Sequence, residues 1–299
     1  MEASERMVSD VGQLAAGAPL AVGAAAAFGA ASVLQFCASR AVPEERAGQP
    51  RLLVRLFRIR SWRWSTLLAA AAFALQVAAL SLVPLLLVQP LLVTGLVWYV
   101  LLFGAVQHHR PDARILLESG LCLLGLGAFL AVAQPARSHG HGFESFGSAA
   151  LLGLAVVVTV GGCLLSALRL GREWRPLPLA VAAGICYGVT AGLISSLGLE
   201  FEPSALAVFG QWQTYVIAVL GPFGVLLSQN AYQAGPMGAP ALATITVTDP
   251  LVSIAVGLLW LDEEIRTGTW IVLGEVLSLA VVVVAVSLLA RRAPHVAGA

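Results

Sequence analysis

The sequence predicts an all-α polytopic membrane protein with about nine transmembrane helices in two inverted repeats, arranged 4+1+4. Three observations lead there. The chain is 59% hydrophobic and only 11% charged, its apolar runs reach spanning length one after another, and its arginines gather in alternate loops. Soluble domains carry roughly 25% charged residues, so a mean hydropathy of +0.87 over 299 residues excludes a soluble globule. In lipid each unpaired backbone group costs several kcal/mol, so such runs must be helices or a closed barrel. Continuous apolarity without alternation excludes the barrel.

A bilayer core about 30 Å thick needs roughly 20 apolar residues per helix. Runs of that kind extend from Leu14 to Cys37, Trp64 to Leu82, Pro84 to Val106, Ile115 to Ala133, Ala149 to Leu168, Leu177 to Leu199, Gln211 to Gln233, Ala239 to Trp260 and Trp270 to Leu289. They fill residues 1–299 as a single transmembrane domain: a first repeat over about 14–133, a linker helix over about 149–168 and a second repeat over about 177–289. The N-terminal run exceeds 20 residues and follows an acidic MEASERMVSD, so it is read as an uncleaved first helix rather than a signal peptide.

Orientation follows from arginine, the sole basic residue besides histidine. Arg40 to Arg63, Arg110 with Arg114, Arg169 to Arg175, and Arg291 with Arg292 occupy every second loop, against Arg137 and Arg266 in the others. Positive loops stay cytoplasmic. The predicted location is the cell membrane, multi-pass, with the N-terminus outside and the C-terminus cytoplasmic. Trp62, Trp64, Trp174, Trp212, Trp260 and Trp270 fall near span ends, where indole prefers the headgroup region; Trp98 sits deep.

The halves show a weak internal likeness. GAAAAFGAASVL in the first span resembles AAGICYGVTAGL in the sixth, pairing Phe28-Gly29 with Tyr187-Gly188. Gln89-Pro90 pairs likewise with Asp249-Pro250, Gln76 with Gln229, and Pro84 with Pro236. Two four-helix units separated by one helix must lie in opposite orientations, the inverted arrangement of secondary transporters.

Few ionisable residues fall within the spans, and each costs at least about 2.5 kcal/mol at mid-bilayer. Asp249 lies deepest, about 15 Å into its span at 1.5 Å per residue. Pro250 beside it clashes with the carbonyl of Thr246, freeing an acceptor next to the carboxylate. Thr246, Asp249, Ser253 and Gly257 form one polar stripe unsuited to lipid. Gln89, Thr94 and Trp98 on the third span, with Tyr187 and Asn230, complete the candidate substrate or ion site. For Trp98 two roles stand side by side, lining the cavity or stacking on a cationic substrate on the one hand and plain helix packing on the other. Glu118 and Glu275, near the ends of their spans and within reach of interfacial water, are candidates for gating or substrate access. Gly184, Gly188 and Gly192 repeat every four residues and predict close helix packing, at the interface between repeats.

Other chemistry finds no support. Cys37, Cys122, Cys163 and Cys186 lie in spans without CxxC spacing and read as packing residues. His139 and His141 do not make a closed metal site, and no P-loop, HExxH or GxSxG occurs. The protein is expected not to be an enzyme and to have no cofactor, no bound metal and no nucleic-acid partner.

VQPLLVTGLVWYVLLFG and QNAYQAGPMGAPALATITVTDPLVSIAVGLLWLDEE give the chain its resemblance to the drug/metabolite transporter superfamily, EamA-like branch. The resemblance implies inverted helical repeats around a central cavity, with Asp249-Pro250 in the signature of the next-to-last helix and Glu263 or Glu264 just after it. The loop QHHRPDA lacks the glutamate expected in the first half, and nine helices are similar to NIPA-type magnesium transporters. The expected function is secondary active transport of a small organic metabolite or drug by alternating access, proton-coupled at Asp249. The alternatives are a Mg²⁺ or divalent-cation transporter and a non-transporting membrane scaffold. Expected partners are a small-molecule substrate, protons or a cation, and the bilayer; a homodimer is left open.

Overall fold

The computed structural model describes residues 2–42, 51–106, 113–133, 146–171, 174–199, 207–233, 238–261 and 268–296. Among these residues the chain is helical, with no strand. The elements are α1 (Glu2–Arg40), α2 (Arg51–Phe57), α3 (Arg60–Leu82), α4 (Leu85–Val106), α5 (Ala113–Ala133), α6 (Phe146–Arg169) and α7 (Pro176–Leu199). A 3-10 turn (Ala207–Gly210) then precedes α8 (Trp212–Gln233), α9 (Gly238–Trp260) and α10 (Thr269–Val296). Among the described residues six stretches are long and apolar enough to cross a membrane, namely Gly12–Ser39, Arg60–Leu82, Leu85–Val106, Gly147–Arg169, Pro176–Leu197 and Trp212–Gln233. Thr244–Trp260 and Thr269–Ala285 are shorter apolar helices.

The outer face explains why such a bundle belongs in lipid. Leu117, Leu124, Val157, Leu168, Val219 and Leu259 are each more than two-thirds exposed. A water-soluble monomer rarely exposes a contiguous apolar patch above a few hundred Å². Trp64, Trp174, Trp212 and Trp270 are exposed near helix ends, whereas Trp62 is buried and Trp260 turns inward to donate its indole N–H to the Ser148 carbonyl at 2.9 Å. Cys37, expected as a packing residue, is exposed.

The bundle is built from two similar groups. α1 lies along α3 and α4, and α7 lies along α8 and α9. The groups meet where α4 packs on α9 and α5 on α10, and α6 leans on α7. Glycines set the closest approaches. A Cβ on Gly29 would come within 2.6 Å of the Gly95 carbonyl and 2.9 Å of the Tyr99 nitrogen. One on Gly188 would come within 2.6 Å of the Asp249 carbonyl and 3.0 Å of the Ser253 nitrogen. The series Gly184, Gly188 and Gly192 therefore joins α7 to α9 inside the C-terminal half, not one half to the other.

α5 and α10 run antiparallel, since Gly125 faces Ser278 to Val282 while Gly274 faces Val132. Short α2 had read as part of an arginine-rich loop. Its RLLVRLF sequence places Leu52 and Leu56 one turn apart, and both are fully buried beside Ala38 and Trp62.

Candidate functional site

A cavity of about 540 Å³ lies inside the bundle, walled by α1, α3, α4, α7, α8 and α9. This volume suits a small organic molecule, for which pockets of roughly 300–1,000 Å³ are usual. Asp249 is the sole charged side chain among its described lining residues. The walls around it carry Tyr99, Tyr187, Tyr232, Phe28 and Phe73.

Asp249 reaches the cavity because α7 and α9 approach so closely at Gly188. The backbone beside the carboxylate is also altered by Pro250, which lies inside α9 and whose ring removes a backbone donor. The Ser253 hydroxyl has one hydrogen and three acceptors in range. The Asp249 carbonyl lies at 2.9 Å, the Gly188 carbonyl at 3.2 Å and the Asp249 Oδ1 at 3.4 Å. The shortest contact takes the proton toward the backbone, which leaves the carboxylate turned to the cavity with only a long contact to Ser253.

Gln89 lines the cavity from α4, fully buried, and among the described residues neither its amide nitrogen nor its amide oxygen has a hydrogen-bond partner. The Thr190 hydroxyl, also buried and lining the cavity, lacks one too. A buried amide left unpaired costs about 1–3 kcal/mol, and groups of this kind in native structures call for an explanation. Both residues belong to the cavity wall, with these polar atoms buried inside it. Tyr187 hydrogen-bonds Ser228 at 3.1 Å, and its ring edge lies against Gly224, so α7 and α8 together fix the orientation of its face.

Among the described residues, side-chain clusters lie toward both helix ends of the cavity. At the end bearing the α1–α2 connection, Gln229 accepts from the Ser39 hydroxyl at 2.6 Å and from the Trp62 indole at 3.4 Å. Its amide donates to Gln35 Oε1 at 2.8 Å. At the opposite end, Ala79 and Leu80 of α3 and Val83 just beyond it form an apolar cluster with Leu85, Val88, Ala191 and Ile194. Replacing Gln229 by leucine strands Ser39, Trp62 and Gln35 at once. We expect a loss of about 1–3 kcal/mol in stability, read as earlier thermal unfolding in detergent, together with greater reagent access to the cavity from that end.

Of the residues singled out in the sequence, Asp249, Thr246, Gln89 and Tyr187 line the cavity, and Ser253 supports it from behind. Thr94, Trp98 and Asn230 do not line it. Thr94 turns its hydroxyl onto the Leu91 carbonyl at 2.7 Å, Asn230 donates to the Leu226 carbonyl at 2.7 Å, and Trp98 is 38% exposed on the outer face. Glu118 and Glu275 are each only 6% exposed and lie off the cavity toward opposite ends of the α5/α10 seam. Each lies within about two turns of the start of its helix. His139, His141, Pro236, Glu263 and Glu264 fall outside the described residues, and so does the side chain of Cys122. The aromatic walls Tyr99 and Tyr232 and the amide of Gln35 were not singled out from sequence. A helical step of three or four from Gln89 leads through Leu92, Val93 and Leu96 to Tyr99, a signal that was there to use.

Comparison adds one relative. The chain is similar to an uncharacterized protein of Corynebacterium glutamicum, 24% identical over 232 residues, covering 77% of this chain and 79% of the other. No family model matches the chain, and no solved structure does. The site must be read on its own chemistry.

Proposed function

We propose that the protein is a secondary transporter in the cell membrane that carries a small organic metabolite or drug bearing a positive charge, by alternating access, with protons exchanged at Asp249. The observation that carries this reading is the cavity inside the bundle, lined by aromatic rings and, among its described residues, by one carboxylate. A carboxylate in a low-dielectric site attracts a cation strongly, and aromatic faces attract an organic cation by about 0.5–2 kcal/mol each. Proton and cation would then compete for one charge, which couples their movements.

Repeat symmetry supports the same reading. Phe28-Gly29 and Tyr187-Gly188 pair in sequence. Both aromatics line the cavity, and both glycines sit where α1 meets α4 and α7 meets α9. Gln89 and Asp249, also paired, both line the cavity, from the adjoining helices α4 and α9. We read α1 and α3 to α5 as one repeat and α7 to α10 as its inverted partner, with α6 between them and nine helices spanning the bilayer. Arginine distribution orients the N-terminus outward. This arrangement resembles the drug/metabolite transporter superfamily. A Mg²⁺ site fits less well, since that ion prefers hard oxygen ligands; among the described residues no group of three or more His, Cys, Asp or Glu side chains gathers.

The first test is a thermal-shift screen of organic cations, anions and neutral metabolites on the purified protein. Stabilisation by organic cations is expected; stabilisation confined to anions or to Mg²⁺ would remove the reading. Within the cationic class, Tyr187→Phe should keep affinity within about threefold because the ring remains. Tyr187→Ala should weaken it by about 2- to 30-fold, the range that corresponds to one cation–π contact. Equilibrium binding of the best cation from the screen measures both.

A further inference from the structure

The exposure of its lining residues locates where the cavity opens to the outside of the bundle. Among the described lining residues, those that are exposed are Ala70, Phe73, Ala218 and Pro222, all on α3 or α8. Ala70 and Phe73 fall near the middle of Arg60–Leu82, and Pro222 near the middle of Trp212–Gln233. The opening is therefore halfway along the helices, on the side of the bundle, where a spanning protein meets the acyl chains rather than water.

Two features keep it open. α3 and α8 do not pack along each other, each being held instead by α1 and α7 respectively. Beside Phe73 and Pro222 the rim carries only the small Ala70 and Ala218, and a Cβ on Gly221 there would meet no atom within 4 Å. Pro222 also frees the carbonyl of Ala218, leaving one polar acceptor in an otherwise apolar mouth.

We propose that this fissure is a side entrance through which a cationic amphiphile passes from the lipid into the cavity, its charged head toward Asp249 and its tail lying between α3 and α8. This rests on the cationic-substrate reading above and adds to it the shape of the substrate and its route. Water-soluble cations gain nothing from such a mouth, whereas an amphiphile is already concentrated at that depth and gains about 0.8 kcal/mol per methylene kept out of water. The fissure lets the tail stay in lipid while the head is held inside.

The test uses radiolabelled dodecyltrimethylammonium and tetramethylammonium, which share a head and differ in tail, with full-length protein in lipid nanodiscs. Empty nanodiscs give the partition background. Wild type is expected to bind the dodecyl compound at least tenfold more tightly than tetramethylammonium. Gly221→Phe, whose ring occupies the gap without displacing packed atoms, should cut that preference at least tenfold and leave tetramethylammonium affinity within about threefold. Ala70→Leu on the opposite rim should act in the same direction and serves in its place if Gly221→Phe does not fold, as judged by thermal unfolding. Equal affinities of wild type for both cations, or a folded rim variant with the full dodecyl preference, would overturn the side entrance and leave the cation site standing. Failure of wild type to bind either cation would overturn both.

Discussion

Asp249→Asn is expected to abolish pH-gradient-driven uptake of an organic cation into proteoliposomes and to weaken cation binding at least about 100-fold. Leaving a charge in a low-dielectric site without its partner costs about 3–5 kcal/mol, and each 1.4 kcal/mol is a factor of ten. The substitution is nearly isosteric, and the fold should survive it. The best acceptor for the Ser253 hydroxyl is the Asp249 main-chain carbonyl at 2.9 Å, which asparagine keeps, and the side-chain contact that it alters is 3.4 Å long. Thermal unfolding within a few degrees of wild type, together with uptake at background, is the expected pair of results. Uptake at the wild-type rate would remove Asp249 from the mechanism.

The second large effect is expected at Gly188. Alanine there places a Cβ within 2.6 Å of the Asp249 carbonyl and 2.8 Å of the Val252 Cβ, atoms fixed by the α9 backbone that cannot rotate aside. Overpacking of this kind costs about 1–3 kcal/mol, and relief requires α7 and α9 to separate at the depth of the carboxylate. Gly188→Ala should therefore lower thermal stability and reduce uptake more than tenfold, whereas Gly153→Ala should do neither. A Cβ on Gly153 meets nothing within 4 Å, and alanine in a helix is favoured over glycine by about 1 kcal/mol. Unfolding curves and uptake rates of the two variants, measured side by side, check this. Equal behaviour would mean that the α7/α9 approach does not position Asp249.

Much of the helical layout was legible because lipid leaves the backbone few choices. The apolar run from Pro84 to Val106 coincides with α4 at Leu85–Val106, and that from Leu177 to Leu199 with α7 at Pro176–Leu199. Asp249 stood out because a buried charge in an apolar run needs a reason. Rotation of each helix about its axis was harder to read. A water-soluble helix shows its buried face by the alternation of apolar and polar residues, but a membrane helix is apolar on both sides. On α4 this misdirected the aromatic assignment. Trp98 and Tyr99 are adjacent, about 100° apart around the helix, and following Pro90 and Thr94 selected the exposed Trp98 while Tyr99 is the ring in the cavity. Burial of Glu118 and Glu275 was hidden for a related reason, since distance from a helix end does not tell which side of the helix a residue is on. Gln229 was visible as a buried amide, but its partners Ser39 and Gln35 lie more than 180 residues away in sequence.

The most direct measurement is the affinity of the purified protein for an organic cation as a function of pH. Proton and cation competing for Asp249 make the apparent Kd rise as pH falls, by up to about tenfold per pH unit where the carboxyl is mostly protonated. In Asp249→Asn any residual binding should lose that dependence. Wild-type binding that is tight and unchanged across the pH range, or equally pH-dependent in Asp249→Asn, would contradict exchange at this carboxylate.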